Sequence, residues 1–112
     1  MERTFNKLVR DRIPEIIKNN GEESVVRKLS DDEYKVELYK KLLEEVNEVV
    51  DAQDIESTIE ELADVLEILK AVAELNNKEL VDVIEIADQK RLKRGGFEKR
   101  LFLEKIYSRD KK

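Results

Sequence analysis

The sequence contains neither cysteine nor histidine among its 112 residues. Without them the chain has no disulfides, no thiol nucleophile, no imidazole base and no ordinary zinc site. Any catalysis must therefore use carboxylates, amines, guanidiniums, hydroxyls or a bound metal ion. No apolar run approaches the ~20 residues of a membrane span, and no signal-peptide pattern opens the chain. We therefore expect a cytoplasmic protein that does not bind membranes.

Charge, by contrast, is abundant. Charged residues make up 44% of the chain, and 27 acidic against 22 basic side chains give a net charge of −5. This acidic balance argues against a general nucleic-acid binder. The length predicts a single domain covering 1–112. Because apolar residues make up only 40%, the core is thin, and we expect a homo-oligomer (a dimer or a tetramer).

Two helices are predicted in the first half of the chain. Pro14 suits a first helical turn, and Asn20-Gly21 suits a helix end, so a short helix is expected over 13–19. The sequence Ser30-Asp31-Asp32-Glu33 is a capping box, and it predicts a long helix that runs to about residue 52.

Two more helices are predicted in the second half. The third begins near Asp54 or at a second capping box that starts at Ser57, and it ends at Asn76-Asn77. The fourth covers about 78–94 and stops at Gly95, which supplies a left-handed cap.

The fold class that follows is all-α. An antiparallel helical hairpin and two further helices are expected to form an oligomeric helical bundle. Residues 25–29 have the composition of a short strand. The tail, 97–107, fits either a strand or a helix; we favour a strand that pairs with 25–29 as a minor β accessory.

Two acidic pairs are the most informative pattern in the chain. Within Glu45/Glu48 and within Glu61/Asp64 the spacing is i, i+3, which places both carboxylates on one side of a helix. The two pairs are mirror images about the predicted turn at 52–57, so four carboxylates would converge between antiparallel helices. Their mutual repulsion calls for a hard cation such as Mg²⁺.

The apolar periodicity places two of these acids in the helix interface. Glu45 and Glu61 each occupy one position of a 4, 3, 4, 3 apolar series, and we call the two series together the seam. The apolar members of the seam are Leu38, Leu42, Val49 and Ala52, and then Val65, Ile68, Val72 and Leu75. A buried, unpaired carboxylate costs several kcal/mol, so both acids need a partner or a metal ion.

A salt bridge is the alternative to a metal ion. Lys41 precedes Glu45 by four residues and could neutralise it. In a chain this rich in glutamate, acidic pairs at i, i+3 spacing also arise by chance. The residue pattern alone leaves both interpretations open.

The two acidic segments resemble a known signature. KLLEEVNE at 41–48, followed by ELAD at 61–64, is similar to the EExxE…ExxD pattern of the all-α nucleotide pyrophosphatases, the MazG-like group. KLVRDRIP at 7–14 and KRGGF at 93–97 resemble flanking blocks of the subgroup called phosphoribosyl-ATP pyrophosphohydrolase-like. Together the similar segments extend over nearly the whole chain.

The resemblance implies roles for the acids. Glu45, Glu48, Glu61 and Asp64 are the implied ligands of Mg²⁺, for which Mn²⁺ could substitute. Glu44, the first acid of the signature, is implied either to orient or deprotonate the attacking water or to support the ligands.

The resemblance also implies phosphate contacts from basic residues. Those of the last helix map to Lys90 and to Lys93 or Arg94, and Lys41, Lys7 and Arg10 are further candidates. For Lys7 and Arg10 the alternative is a pair of solvated charges ahead of a helix. Asp88 stands where relatives often have asparagine, a departure from the pattern.

The expected function is Mg²⁺-dependent hydrolysis of a nucleotide between its α and β phosphates, with release of pyrophosphate and no protein nucleophile. A house-cleaning role against non-standard nucleotides is implied by the resemblance. Two alternatives stand beside it: hydrolysis of phosphoribosyl-ATP in histidine biosynthesis, and a non-catalytic helical interaction module whose acids are salt-bridged.

Overall fold

The computed structural model describes residues 1–110, and within that range it contains four α-helices and no β-strand. The helices are α1 (Ile13–Asn19), α2 (Asp31–Asp51), α3 (Ile55–Leu75) and α4 (Leu80–Arg94). The all-α class is thus confirmed. The chain divides into two compact units, Met1–Leu80 and Val81–Lys112, and each is described by itself.

The short helix α1 has the predicted bounds because its end residues suit them. Proline occupies its first turn, where a missing N–H breaks no helical hydrogen bond. At its end Gly21 adopts φ +85°, and the backbone N–H of Glu22 donates to the carbonyl of Ile17. This is a Schellman cap, which needs a residue that tolerates the left-handed conformation.

Helix α2 begins at the predicted capping box. The backbone N–H of Glu33 donates to the Ser30 hydroxyl, and the Glu33 carboxylate accepts from the backbone N–H of Ser30. Arg27 donates two hydrogen bonds to the same carboxylate. These contacts lower the pKa of Glu33 to about 2, the bond from Arg27 contributing most. The Glu33 carboxylate at the start of α2 therefore stays ionised well into the acid pH range.

A short connection joins α2 to α3. Only residues 52–54 separate the helices, and Asp54 caps α3 by accepting from the backbone N–H of Ser57 at 2.8 Å. Of the two predicted starts, the structure therefore has the one at Asp54. Asn77, at φ +61°, ends α3 in a second Schellman cap, with Lys78 N–H donating to the carbonyl of Ala73.

The centre of the first unit is the hairpin of α2 and α3, which pack against each other. The three-residue connection makes them antiparallel. In the described residues the buried apolar side chains are Leu38, Ile68 and Ala73, and the first two belong to the predicted seam. The one buried charged residue among them is Glu45, which is 9% exposed. The hairpin therefore holds a carboxylate within its narrow core.

The second unit consists of α4 and the segment that follows it. Helix α4 starts two residues later than predicted, after the left-handed Asn77. It ends as predicted at Gly95, at φ +81°, whose N–H donates to the carbonyl of Arg91. Among residues 1–110, no helix combines the length and the apolar character needed to cross a membrane.

The predicted β accessory is wrong. Neither 25–29 nor 97–107 forms a strand, and a turn closes at Arg100, whose N–H donates to the carbonyl of Phe97. A strand is stabilised by a hydrogen-bonded neighbour and by apolar cover on one face. The apolar residues of these two segments do not by themselves provide a neighbouring strand or apolar cover.

Candidate metal centre

Three carboxylates from the two hairpin helices lie together. One oxygen each from Glu45, Glu61 and Asp64 can be chosen so that all three lie within 4.8 Å of one another. Glu45 comes from the second half of α2, and the other two come from the first half of α3. We call this group the carboxylate triad. It joins acids that the resemblance implies as ligands of Mg²⁺.

Packing of the hairpin holds the triad in place. Glu45 is buried, and Glu61 and Asp64 are half-buried. Because Glu45 and Glu61 occupy seam positions, the contact of α2 with α3 directs them toward each other. Asp64 is one turn beyond Glu61, so it projects on the same side of α3.

The remaining acids of the signature lie at the edge of this group. Glu48 is exposed and does not join the triad, although its negative charge raises the pKa of Glu61. Glu44 is also exposed, with an oxygen 3.6 Å from the Lys41 ammonium. The structure therefore brings together three of the four predicted ligands. The fourth, Glu48, lies outside the group but close enough for its charge to act on Glu61.

Two cations contact the triad directly. The Arg10 guanidinium donates to Asp64 Oδ1 at 2.7 Å, and the Lys41 ammonium lies 3.6 Å from Glu45 Oε1. The Lys41–Glu45 pair is the salt bridge that the i, i+4 spacing offered as an alternative. The Arg10–Asp64 pair had no sequence signal, because 54 positions separate its members.

Glu61 is the triad member whose ionisation is clearly disfavoured. Burial raises its pKa, and so do the charge of Glu48, a hydrogen bond with Glu45 and the charges of Glu45 and Asp64. At a pH between the ordinary pKa and the raised pKa of Glu61, the folded protein holds a proton that the unfolded chain has released. Stability therefore falls as the pH rises from the ordinary value of 4.5 through the raised pKa, and the deficit persists above it.

We expect Glu61→Gln to raise the melting temperature in metal-free buffer at pH 7, because it removes a charge that the other acids repel. The gain should shrink toward pH 4, where the wild-type carboxyl is protonated. Thermal unfolding in EDTA across this pH range measures it. Glu60→Gln, at an exposed neighbouring position, is the control and should show no such gain. An equal gain in both variants would mean that general charge reduction is the cause.

A small cavity lies beside the triad. It measures ≈ 250 Å³ and shares Lys41 and Glu44 with the surroundings of the acids. Lys7 and Lys40 also line it, and the Lys7 ammonium lies 5.8 Å from the ring centroid of Phe5. The predicted phosphate contacts Lys7 and Lys41 thus border one cavity.

Three further predicted phosphate contacts lie in the second unit. Lys90, Lys93 and Arg94 are exposed on α4, the last two in its final turn. There they complement the negative end of the helix dipole. Their role toward a nucleotide stays a prediction.

The triad fits a small, hard cation. Its donors are all carboxylate oxygens, which Mg²⁺ prefers, and two ligands of one Mg²⁺ ion stand about 3–4 Å apart. Separations within 4.8 Å allow side-chain rotation to bring the oxygens to that distance. A cation would also relieve the repulsion that raises the pKa of Glu61.

Comparison with known proteins adds little to this geometry. No protein-family model matches the chain, and no solved structure matches it. A protein of Mycolicibacterium smegmatis, described only as uncharacterized, is 50% identical to it over 54 residues. The match covers 48% of this chain and 55% of that protein, so the chain spans about half the length of the relative.

Proposed function

We propose that this protein is a Mg²⁺-dependent nucleotide pyrophosphohydrolase of the MazG-like kind. It would cleave a nucleoside triphosphate, or a related nucleotide, between the α and β phosphates. The observation that carries the proposal is the carboxylate triad, in which acids from two helices lie within 4.8 Å of one another and one of them is buried. These acids belong to the two segments that resemble the pyrophosphatase signature.

In this proposal Glu45, Glu61 and Asp64 would hold Mg²⁺, and Glu48 would be a further ligand at the edge of the group. When bound, the ion would supply positive charge to the phosphates and would make the attacking water more acidic. Water attacks the α phosphorus, the bond from that phosphorus to the bridging oxygen breaks, and pyrophosphate leaves.

The residues around the triad supply the remaining chemistry. Glu44 is exposed beside it and takes the proton of the attacking water on a carboxylate oxygen. Lys41 and Arg10 carry positive charge next to the acids, and we assign them to the phosphates, with Lys7 at the cavity. Cations in these positions stabilise the charge that develops on the leaving pyrophosphate.

A nucleotide panel tests the proposal. It contains the standard nucleoside triphosphates, chemically modified ones that represent a house-cleaning role, and phosphoribosyl-ATP, the alternative substrate. We expect at least one to give pyrophosphate and the corresponding monophosphate in equal amounts with Mg²⁺, and none to do so in EDTA. Product identified as single phosphate, or no turnover of any member with Mg²⁺ or Mn²⁺, would contradict the proposal.

The rival function is a non-catalytic helical interaction module. The two ion pairs favour it specifically, since Arg10 and Lys41 already balance part of the acidic charge. On this view added Mg²⁺ has no specific effect on stability. The metal titration considered below separates the two functions.

A further inference from the structure

One of the two cations at the carboxylate triad comes from outside the hairpin. Arg10 belongs to the N-terminal segment 1–12, which precedes α1 and forms no helix or strand. Its guanidinium donates to Asp64 Oδ1 at 2.7 Å, a charge-assisted hydrogen bond. The bond occupies a lone pair of a carboxylate that the resemblance implies as a metal ligand.

The second cation, Lys41, holds its partner in a different way. Its ammonium lies 3.6 Å from Glu45 Oε1, beyond hydrogen-bond distance, so it neutralises Glu45 without occupying a lone pair. The two residues are one turn apart on the same helix, and the Lys41 side chain is only 20% exposed, so packing keeps this pair together. The Arg10 side chain is 57% exposed. Of the two cations, Arg10 is therefore the one that can leave.

Only the side chain of Arg10 has to move for this to happen. Its backbone carbonyl accepts from the N–H of Ile13 at 3.1 Å, which attaches Arg10 to the start of α1. An exposed arginine changes rotamer rapidly without disturbing such a backbone contact. Asp64, by contrast, is half-buried in the interior of α3. The carboxylate therefore stays in place while the guanidinium leaves.

Electrostatics opposes a guanidinium and a divalent cation on the same carboxylate. A cation about 2 Å from either Asp64 oxygen would lie within about 7 Å of the guanidinium, closer than the Debye length of about 8 Å at physiological salt. With its acids ionised, the triad together with Lys41 and Arg10 carries one net negative charge. A divalent cation would make that charge positive if both basic residues stayed, and neutral if Arg10 left.

We propose that Arg10 and a divalent cation compete for Asp64. Without the cation, Arg10 is the counter-ion of this carboxylate. When the cation binds, the guanidinium gives up Asp64 and becomes available to the phosphates of a substrate. The inference rests on the metal site of the proposed function, and it adds an order of events, because Arg10 reaches the phosphates only after the metal has taken Asp64. An anion at Arg10 and a cation at Asp64 therefore strengthen each other's binding.

Titration with Mn²⁺ tests the competition in two matched variants. Arg10→Gln removes the charge at the triad, and Arg12→Gln removes an equal charge two residues away, where the guanidinium pairs with Glu15 at 3.2 Å. Electron paramagnetic resonance measures free Mn²⁺ and gives its Kd in the absence of nucleotide. We expect Arg10→Gln to bind Mn²⁺ about fivefold tighter than the wild type, the lower end for coupled sites because the ion pair is half exposed. Arg12→Gln should change the Kd less than about twofold.

Heteronuclear NMR of the wild-type protein supplies a second readout. The Nε–H signal of Arg10, identified by its loss in Arg10→Gln, should shift as MgCl₂ is added, and the signal of Arg12 should not. Both substitutions change exposed residues outside the helices, so circular dichroism should show the same helix content in all three proteins. An Arg10 signal that stays in place while Mg²⁺ binds would overturn the exchange.

The outcomes of the Mn²⁺ titration separate this inference from the proposed function. If Arg10→Gln binds Mn²⁺ like the wild type, or about 10–100-fold more weakly as loss of an outer-shell support would predict, the exchange is overturned and the metal site stands. If neither protein binds Mn²⁺, both proposals are overturned. If Arg10→Gln binds Mn²⁺ more tightly but the wild type hydrolyses no nucleotide, the exchange is supported and the hydrolase is rejected.

Discussion

Glu45→Gln should abolish the rise in melting temperature that we expect Mg²⁺ to give the wild-type protein under the proposed function. It should also lower Mg²⁺-dependent pyrophosphate release at least about 100-fold, since even outer-shell partners of metal sites are worth 10–100-fold. Glu45 is the buried member of the triad, and glutamine keeps its shape while removing its charge. With Mg²⁺ about tenfold above its Kd, the wild type should gain about 1.4 kcal/mol, which is several degrees in Tm.

Thermal unfolding in EDTA and in increasing MgCl₂ measures this effect, and Asp64→Asn should repeat it. Glu60→Gln, at an exposed position of α3 outside the triad, should keep the full response. The comparison in EDTA shows that each variant is folded before the metal is added. If neither Mg²⁺ nor Mn²⁺ changes the Tm of the wild-type protein, the salt-bridged module is favoured. If Mg²⁺ still raises the Tm of Glu45→Gln, Glu45 is not one of the ligands.

Lys41→Met should destabilise the metal-free protein by about 2 kcal/mol at pH 7, because it leaves the buried Glu45 carboxylate without its cation. The Lys41 ammonium lies 3.6 Å from Glu45, and its own side chain is 20% exposed. Methionine keeps most of the apolar stem, so the loss is chiefly one of charge. Urea unfolding in EDTA gives the free energy directly.

The neighbouring lysine is a matched control. Lys40 pairs with Glu37 at 3.3 Å, but its side chain is 68% exposed, so Lys40→Met should change stability by less than about 1 kcal/mol. Under the proposed function, Mg²⁺ should restore much of what Lys41→Met loses, because the ion takes over the neutralisation of Glu45. If Lys41→Met and Lys40→Met lower the free energy of unfolding equally, the Glu45 carboxylate does not depend on Lys41 for its neutralisation.

Local chemistry explains why the helices could be predicted so closely. The capping box at Ser30, the Asn20-Gly21 end and Gly95 act within a few residues, and each recurs in the structure at its predicted place. The start of α3 could not be decided from sequence because Asp54 and Ser57 are both good caps. In the structure they act together, with Asp54 accepting from the backbone N–H of Ser57.

The carboxylate triad was predictable in part. The mirror relation correctly joined acids across the hairpin, but it predicted four converging carboxylates where the structure brings three together. Glu48 precedes the seam residue Val49, so it is rotated out of the helix contact, and it lies exposed. The partner of Asp64 could not be found at all, since Arg10 reaches it from a remote part of the sequence.

The prediction of a β accessory was wrong for a related reason. Residues 25–29 and 97–107 contain apolar side chains, but a strand depends on a partner that composition does not specify. In the tail, the apolar side chains of Phe97, Leu101 and Phe102 are exposed.

The placement of the triad along the hairpin has a dynamic consequence. Glu45 lies roughly two turns before the end of α2, and Glu61 lies roughly two turns after the start of α3. Helix ends fray readily, whereas interior turns open only with the larger cooperative unit. We therefore expect the amides of these residues to exchange more slowly than those of the helix ends, so fraying of the termini leaves the backbone positions of the acids in place.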